Sequence, residues 1–219
     1  MSSELSLYVY DYNYSSWSMR AGIAIRQTGA EFREIEVRAE PEGFAALKQL
    51  SPNGLFPILK HGKDWIWDSL SIAEYLAELY PHAGLWPGDV AARAHARSMV
   101  AEMHAGFSTL RNALPMNIRR HHPGFLKSAA VRNEITRISN MWRACLDQYG
   151  GNGPFLFGSF TLADAFFAPV VMRFTTYDVE LPPPLAAYVE AVREQPYVKD
   201  WVARAALDRD VNPNYEYER

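Results

Sequence analysis

The spacing of the apolar residues changes once along this 219-residue chain, at a stretch rich in proline and glycine between Pro81 and Pro87. Before this stretch, short apolar runs typical of strands alternate with segments of helical spacing. After it, only helical spacing is found. The chain is therefore predicted to form a small α/β domain over residues 1–80, a linker over 81–88 and an all-helical domain over 89–219.

The part before the linker has the element order of a thioredoxin-like domain, β-α-β-α-β-β-α. If the first two strands are parallel neighbours, the crossover between them should be right-handed. The last two are expected to be antiparallel, because only a short link separates them. The predicted strands are Leu5–Tyr10, Phe32–Val37, Phe56–Lys60 and Trp65–Trp67, and the predicted helices are Met19–Thr28, Ser69–Tyr80 and a short helix that begins at Pro41.

The part after the linker is predicted to be a helical bundle. Its helices are expected at Val90–Leu114, Phe125–Gln148, Thr161–Tyr177, Pro183–Glu194 and Tyr197–Leu207. The third of these is apolar on all sides, so it is expected to lie at the centre of the bundle.

Composition and charge narrow the class of protein. The chain is 48% hydrophobic, enough to fill a core, and its net charge of −3 offers no broad surface for nucleic acid. The single cysteine, Cys145, cannot form an intrachain disulfide and lies in an apolar helical stretch, so it is interpreted as a buried structural thiol. Because the chain shows no signal sequence and no apolar segment of about 20 residues, a cytoplasmic protein without a membrane span is expected.

Three serines, Ser15, Ser16 and Ser18, lie between the first strand and the first helix. A helix N-terminus presents unpaired backbone N–H groups and partial positive charge, so it favours an anion. Serine hydroxyls at this position could donate hydrogen bonds to that anion. Alternatively, the serines act only as a helix cap, which is a common role of this residue type.

A second turn contains Phe56 and Pro57. Pro57 opens a predicted strand, although proline cannot donate a hydrogen bond to a strand ladder. Either the Phe56–Pro57 bond is cis, which would turn the Phe56 backbone outward to pair with a peptide ligand, or Pro57 is a trans residue at a sheet edge.

A third turn, between the last strand and the following helix, contains Asp68 and Ser69. Together they could clamp the head group of an α-amino acid, with Ser69 on the carboxylate and Asp68 on the ammonium. The alternative is an ordinary N-cap.

The order and spacing of these motifs resemble those of the cytosolic glutathione transferase family, and the resemblance runs nearly end to end. The matching motifs are the SSWS turn at 15–18, the LFPIL segment at 55–59, the Asp68–Ser69 pair and a Thr161-Leu-Ala-Asp164 capping box. The resemblance implies glutathione as cosubstrate, bound by Phe56, Pro57, Asp68 and Ser69, a small hydrophobic electrophile as second substrate, and a homodimer.

Within the family, the SSWS turn resembles the serine-type enzymes, and most closely the zeta class. Trp17 stands where the zeta turn has a cysteine, which counts against maleylacetoacetate isomerisation. The main expectation is therefore a glutathione transferase in which Ser15 or Ser16 stabilises the thiolate. The alternatives are a glutathione-dependent isomerase of the maleylacetoacetate type and a non-catalytic glutathione carrier or interaction protein.

The electrophile pocket is expected to come from the long helix after the linker. Its candidate residues are Met103, Phe107 and Arg111, followed by Met116 and Asn117, although Met103 and Phe107 could equally be core residues. A tyrosine-type donor is a further alternative, from Tyr8, Tyr10, Tyr12 or Tyr14.

The densest basic run, from Arg119 to His122, either attracts an anionic substrate or forms a solvated loop. His121 and His122 have no third partner at metal-ligand spacing, so no metal site is expected. No glycine-rich phosphate motif is present, so no nucleotide cofactor is expected either.

Overall fold

The structure is a computed structural model. It describes residues 4–37, 51, 53–123, 128–151 and 153–216. The short helix predicted to begin at Pro41 lies outside these residues.

A four-stranded sheet forms the core of the first domain, with strands in the order β2-β1-β3-β4. The parallel β1–β2 pair and the antiparallel β3–β4 hairpin confirm the predicted topology. The strand β1 lies inside the sheet, and its residues Leu5, Leu7 and Val9 are therefore buried. The strands are β1 (Leu5–Tyr10), β2 (Phe32–Val37), β3 (Ile58–His61) and β4 (Asp64–Trp67).

Eight α-helices complete the described residues, two in the first domain and six after the linker. They are α1 (Ser16–Gln27), α2 (Ser69–Leu79), α3 (Val90–Ala105), α4 (Ser108–Ala113), α5 (Ala129–Tyr149), α6 (Leu162–Thr176), α7 (Pro183–Glu194) and α8 (Pro196–Leu207). The predicted combination of a thioredoxin-like domain and a helical domain is confirmed. None of these eight helices combines the length and apolarity that a bilayer crossing needs.

Two of the differences from the predicted helix boundaries have a clear physical cause. The prediction of a single helix over Val90–Leu114 is wrong. The helix ends at Ala105, and a second helix starts only at Ser108, because Phe107 adopts a left-handed conformation with φ of 56°. Such a residue cannot continue an α-helix. The helix α1 begins at Ser16 rather than Met19, because Ser15 caps it by accepting a hydrogen bond from the Ser18 backbone N–H.

The predicted central helix of the bundle is α6, in which 14 residues are buried. The expected capping box is present at its start. The Asp164 carboxylate accepts hydrogen bonds from the backbone N–H of Thr161 at 2.8 Å and of Leu156 at 3.1 Å. These bonds fix the loop before α6 to the helix end and set the direction in which α6 enters the core.

The helix α1 joins the two domains because it is buried on both sides. It packs on β1 and α2 within its own domain and on α6 and α8 of the helical domain. The approach to α8 is so close that a Cβ atom at Gly22 would overlap the ring of Trp201. Trp201 is fully buried, and its indole Nε1 donates to the carbonyl of Tyr12 at 2.9 Å, so the ring cannot move aside without losing that bond.

We therefore expect Gly22→Ala to lower the free energy of unfolding by about 1–3 kcal/mol, since overpacking of a filled core has this cost. Denaturant unfolding measures the effect. Gly88→Ala is the matched control, because a Cβ atom there meets nothing within 4 Å. Equal stability of the two variants would contradict the close packing of α1 on α8.

Candidate active site

A cavity of about 530 Å³ lies between the two domains, where the N-terminus of α1 faces the helical bundle. The turn before β3, the segment after α4, the helix α6 and the C-terminal tail close the remaining sides. Its wall includes Ser15, Ser16, Trp17, Phe56, Arg111 and Arg173. The predicted serine turn, the predicted Phe56 turn and two predicted electrophile-pocket residues, Arg111 and Met116, thus meet at one cavity.

The serine turn is held in place by Asp11, which has a positive φ of 41°. Its carboxylate accepts hydrogen bonds from the backbone N–H of Asn13 and of Tyr14, both at 2.9 Å, and its carbonyl accepts one from Ser15 N–H at 3.0 Å. Burial raises the pKa of Asp11 to about 6, in spite of the hydrogen bonds from Tyr14 and Asn13. The turn is thereby fixed before α1 begins.

The two candidate catalytic serines have different surroundings. The Ser15 hydroxyl is partly exposed and donates to Ser18 Oγ at 2.9 Å. The Ser16 side chain is 6% exposed, and its oxygen accepts a hydrogen bond from Arg173 Nη2 at 3.4 Å. Ser16 can therefore donate its own proton elsewhere, while Arg173 places positive charge beside it.

The Phe56–Pro57 peptide bond is cis, as one of the two sequence alternatives required. No hydrogen bond joins the Phe56 backbone to another described residue, and its side chain stacks on the ring of Tyr10 with centroids 6.0 Å apart. Phe56 lines the cavity, whereas Pro57 is buried beneath it. The Phe56 backbone is therefore available to a ligand.

Asp68 and Ser69 do not line the cavity, and Asp68 is connected to its wall through His104, which contacts Trp17. Asp68 caps α2 by accepting from Leu70 N–H at 2.8 Å, and its other oxygen lies 3.2 Å from Nε2 of His104. Burial alone would raise the pKa of Asp68, but the hydrogen bonds from His104 and Leu70 lower it below its ordinary value. Ser69 is fully buried, and its hydroxyl has no partner among the described residues.

An unusual stack of side chains connects the two domains beside the serine turn. Two guanidinium groups lie over the Trp17 ring, that of Arg20 at 4.5 Å and that of Arg111 at 4.7 Å from its centroid. Arg20 also lies over Phe166 of α6 at 5.2 Å, and His104 meets the Trp17 ring edge-on at 5.1 Å. The stack fixes Trp17, which directly follows the two serines.

Three arginines give this region a positive charge, and the acids that act on Arg20 and Arg111, Asp68 and Glu134, do so from beyond salt-bridge distance. Within the described ranges, Arg20, Arg111 and Arg173 form no salt bridge with a carboxylate. Burial, together with repulsion from Arg111, lowers the pKa of Arg20 to about 9 and that of Arg173 to about 10. An anion in the cavity would relieve this charge.

Some predicted residues lie elsewhere, and some wall residues were missed. Met103 and Phe107 belong to the buried core rather than to the cavity wall, while Met116 does line it. Arg173 was missed, although a cation in the largely apolar helix α6 is a signal that sequence reasoning could have used. Tyr215 gave no such signal.

The described part of the chain contains no group of three metal-ligating side chains. Tyr10 and Tyr14 both line the cavity, so the tyrosine-type alternative stays open on position alone. Burial raises the pKa of both phenols, so ionisation of either tyrosine is less favourable than in water.

Family models of known proteins match both domains of this chain. Residues 14–79 match a family model described as the glutathione S-transferase N-terminal domain, and residues 128–204 match the corresponding C-terminal domain. Glutathione S-transferase Z1 of Arabidopsis thaliana is 30% identical over 205 residues, which cover 89% of this chain and 90% of the relative.

Two further similarities come from bacteria. Maleylpyruvate isomerase of a Ralstonia species is 29% identical, with 84% of this chain and 90% of the relative covered. A solved structure of a glutathione transferase homologue from Burkholderia, with bound glutathione, superimposes with a TM-score of 0.73 at 25% identity and covers 94% of this chain and 100% of that one.

Two arginines of α1, Arg20 and Arg26, allow a test of whether the charge of Arg20 lacks a stabilising partner. Arg26 pairs with Glu34 and with Asp200, both at 2.8 Å, whereas the buried guanidinium nitrogens of Arg20 have no hydrogen-bond partner among the described residues. We expect Arg20→Met to raise the free energy of unfolding by about 1–4 kcal/mol and Arg26→Met to lower it by about 2–4 kcal/mol.

Denaturant unfolding without ligand measures both changes. If Arg20→Met destabilised the protein as much as Arg26→Met, Arg20 would have a stabilising partner and the charge would not be uncompensated.

Proposed function

Because this chain belongs to the glutathione S-transferase family, we propose that it activates the thiol of glutathione and transfers the thiolate to a small electrophile. The observation that carries the proposal is the serine turn at the N-terminus of α1, on the wall of a cavity that also contains Phe56, Arg111 and Arg173. This arrangement combines an anion site, a free peptide backbone and positive charge.

The residues present fit glutathione. The unpaired Phe56 backbone can pair with the cysteinyl part of the tripeptide, as one strand pairs with another. The buried Ser69 hydroxyl, which lacks a partner among the described residues, can donate to the γ-glutamyl carboxylate. Asp68, whose low pKa keeps it ionised, can accept from the ammonium group.

The thiol supplies the nucleophile, and the protein has to favour its ionised form. A free thiol has a pKa of about 8.5, so lowering it to about 6.5 requires ~2.7 kcal/mol of preference for the anion. One hydroxyl hydrogen bond to a charged acceptor contributes about 1.5–3 kcal/mol, and a helix N-terminus adds about 0.3–1 kcal/mol. One serine on α1 is therefore sufficient, without a general base.

Ser15 is the proposed donor, because its hydroxyl is the more exposed of the two at the cavity; its proton, which it gives to Ser18 Oγ in the unliganded protein, would turn to the thiolate. Ser16 is the alternative, because the hydrogen bond that it accepts from Arg173 leaves its proton available. In either case, the thiolate would sit near the positive charge of Arg173.

The two cavity arginines also support a glutathione-dependent isomerase as the second candidate. Arg111 and Arg173 lack carboxylate partners among the described residues, so an electrophile that carries a carboxylate would be bound better than a neutral one. The similarity to a protein named maleylpyruvate isomerase points to the same kind of electrophile. In this reaction the thiolate would add to the electrophile and later leave.

We propose a separate role for each of the two domains. Residues 1–80 bind glutathione, 81–88 link the domains, and 89–219 contribute the electrophile side of the cavity. We place the protein in the cytoplasm as a homodimer. Burial raises the pKa of the Cys145 thiol to about 12, as expected of a structural thiol.

The serine mechanism is tested by following thiolate absorbance of bound glutathione against pH. We expect Ser15→Ala to return the thiol pKa towards ~8.5 and to lower kcat about 100-fold, while the Kd for glutathione changes only a few-fold. Ser98→Ala, at an exposed hydroxyl on α3, should change none of these values.

The same titration separates the alternatives. Full activity in both Ser15→Ala and Ser16→Ala would overturn the serine mechanism. Binding of glutathione without a change in thiol pKa, and without turnover of any electrophile, would favour the carrier.

The charge preference is tested with two electrophiles that differ only in a carboxylate. We expect Arg111→Met to lower kcat/KM for the carboxylate-bearing compound about 10–100-fold, with a much smaller loss for the neutral one. Arg97→Met is the matched control, because Arg97 also lies over a tryptophan ring, Trp86, but does not line the cavity. An equal loss for both electrophiles would contradict recognition of the carboxylate.

A further inference from the structure

The hydroxyl groups of Ser15 and Ser18 lie 2.9 Å apart and share one hydrogen bond. Ser15 caps α1 and lines the cavity, whereas Ser18 is one turn further along the helix, fully buried and absent from the cavity wall. A hydroxyl group can rotate to donate or to accept, so this bond can run in either direction. Its direction decides whether the proton of Ser15 is available to a ligand.

The direction found without a ligand leaves a buried donor unused. When Ser15 donates to Ser18, the Ser18 oxygen accepts twice, from Ser15 and from the backbone N–H of Tyr10 at 3.0 Å. In that arrangement no other described residue accepts the proton of Ser18. A buried donor without an acceptor is unfavourable, so this direction is held only weakly.

The opposite direction gives every group a partner. Ser18 then accepts from Tyr10 N–H and donates to Ser15 Oγ. The Ser15 oxygen also accepts from the Ser18 backbone N–H at 3.3 Å, so both of its acceptor positions are used within the turn. The proton of Ser15 is left to point out of the turn, towards the cavity.

A thiolate in the cavity selects this second direction. To donate to the sulfur, Ser15 has to release Ser18, and Ser18 then donates to Ser15 in return. Each hydroxyl turns and retains its own proton, so no proton is transferred along the chain. A hydroxyl group that accepts a hydrogen bond becomes a stronger donor, so the bonds from Tyr10 N–H through Ser18 and Ser15 to the thiolate strengthen one another.

We propose that Ser18 is a positioning residue for glutathione activation, because its bond to Ser15 Oγ turns the proton of Ser15 towards the thiolate. This inference rests on the proposed transferase function. It also gives a structural reason for Ser15 as the donor, since the Ser16 oxygen accepts only from Arg173, at 3.4 Å, among the described residues.

The test measures the pKa of bound glutathione from its thiolate absorbance in wild type, Ser18→Ala, Ser15→Ala and the double variant. We expect Ser18→Ala to raise the thiol pKa by about 0.5–1 and to lower kcat near neutral pH about 3–10-fold, with the Kd for glutathione within about twofold. In the Ser15→Ala background the same substitution should change neither the thiol pKa nor kcat, because Ser18 acts through Ser15.

A matched pair of larger residues separates the hydroxyl group from packing. Threonine and valine have nearly the same shape, and only threonine has a hydroxyl. Ser18→Thr should keep the wild-type thiol pKa, whereas Ser18→Val should raise it as Ser18→Ala does. The added methyl group is common to both variants, so the comparison holds if it lowers their stability, and it replaces Ser18→Ala if that variant does not fold.

Thr28→Val is the control for helix stability. Thr28 lies at the other end of α1, about 20 Å away along the axis of this 12-residue helix. Its hydroxyl accepts from the backbone N–H of Ala30 at 3.1 Å and donates to the carbonyl of Ile25 at 2.6 Å. Loss of this hydroxyl should lower the free energy of unfolding without changing the thiol pKa.

The outcomes separate the two proposals. A thiol pKa that Ser18→Ala and Ser18→Val leave unchanged, or that rises equally with and without Ser15, would overturn the role of Ser18 and leave the transferase proposal standing. A thiol pKa that is low in wild type and unchanged in Ser15→Ala would assign the donor to Ser16 and overturn the role of Ser18. Absence of glutathione binding to wild type would overturn the proposed function itself.

Discussion

The burial of α1 on both sides is the constraint on which the rest of this structure depends. The helix carries the serine turn at its N-terminus, and its body is enclosed by the sheet, by α2 and by α6 and α8 of the second domain. A helix in this position cannot rotate or slide without disturbing both cores. The position of Ser15 and Ser16 relative to the helical domain is therefore set by core packing, and a rigid element is the best support for a binding site.

The same packing explains how the protein tolerates uncompensated charge beside its cavity. The Arg20 guanidinium lies over the rings of Trp17 and Phe166. These ring faces attract a cation but do not neutralise it. Such an arrangement costs stability, and it persists only because the surrounding core over-determines it. The fold thus sacrifices stability at the place where an anion would bind, which is the expected relation between stability and function at an active site.

The topology and the motif positions could be predicted from the sequence because they depend on local signals. Strand and helix periods gave the order of elements, and turn residues marked the serine turn, Pro57 and Asp68. The break at Phe107 could not be predicted, because Phe107 continues the apolar stripe of the helix and only its backbone conformation interrupts it. The contacts of His104 with Asp68 and Trp17, and those of Arg119 with the carbonyls of Asp208 and Asp210, join residues distant in sequence. A local pattern carries no information about such pairs.

Trp17 shows how a departure from a family pattern can change the organisation of a site. Where the zeta turn has a cysteine, this chain has a large ring over which the guanidinium groups of both Arg20 and Arg111 lie. A cysteine side chain offers no ring face to a cation. Because a tryptophan face attracts cations, the ring offsets part of the cost of burying these two charges near each other. The charge beside the serine turn and the identity of residue 17 therefore belong to one arrangement.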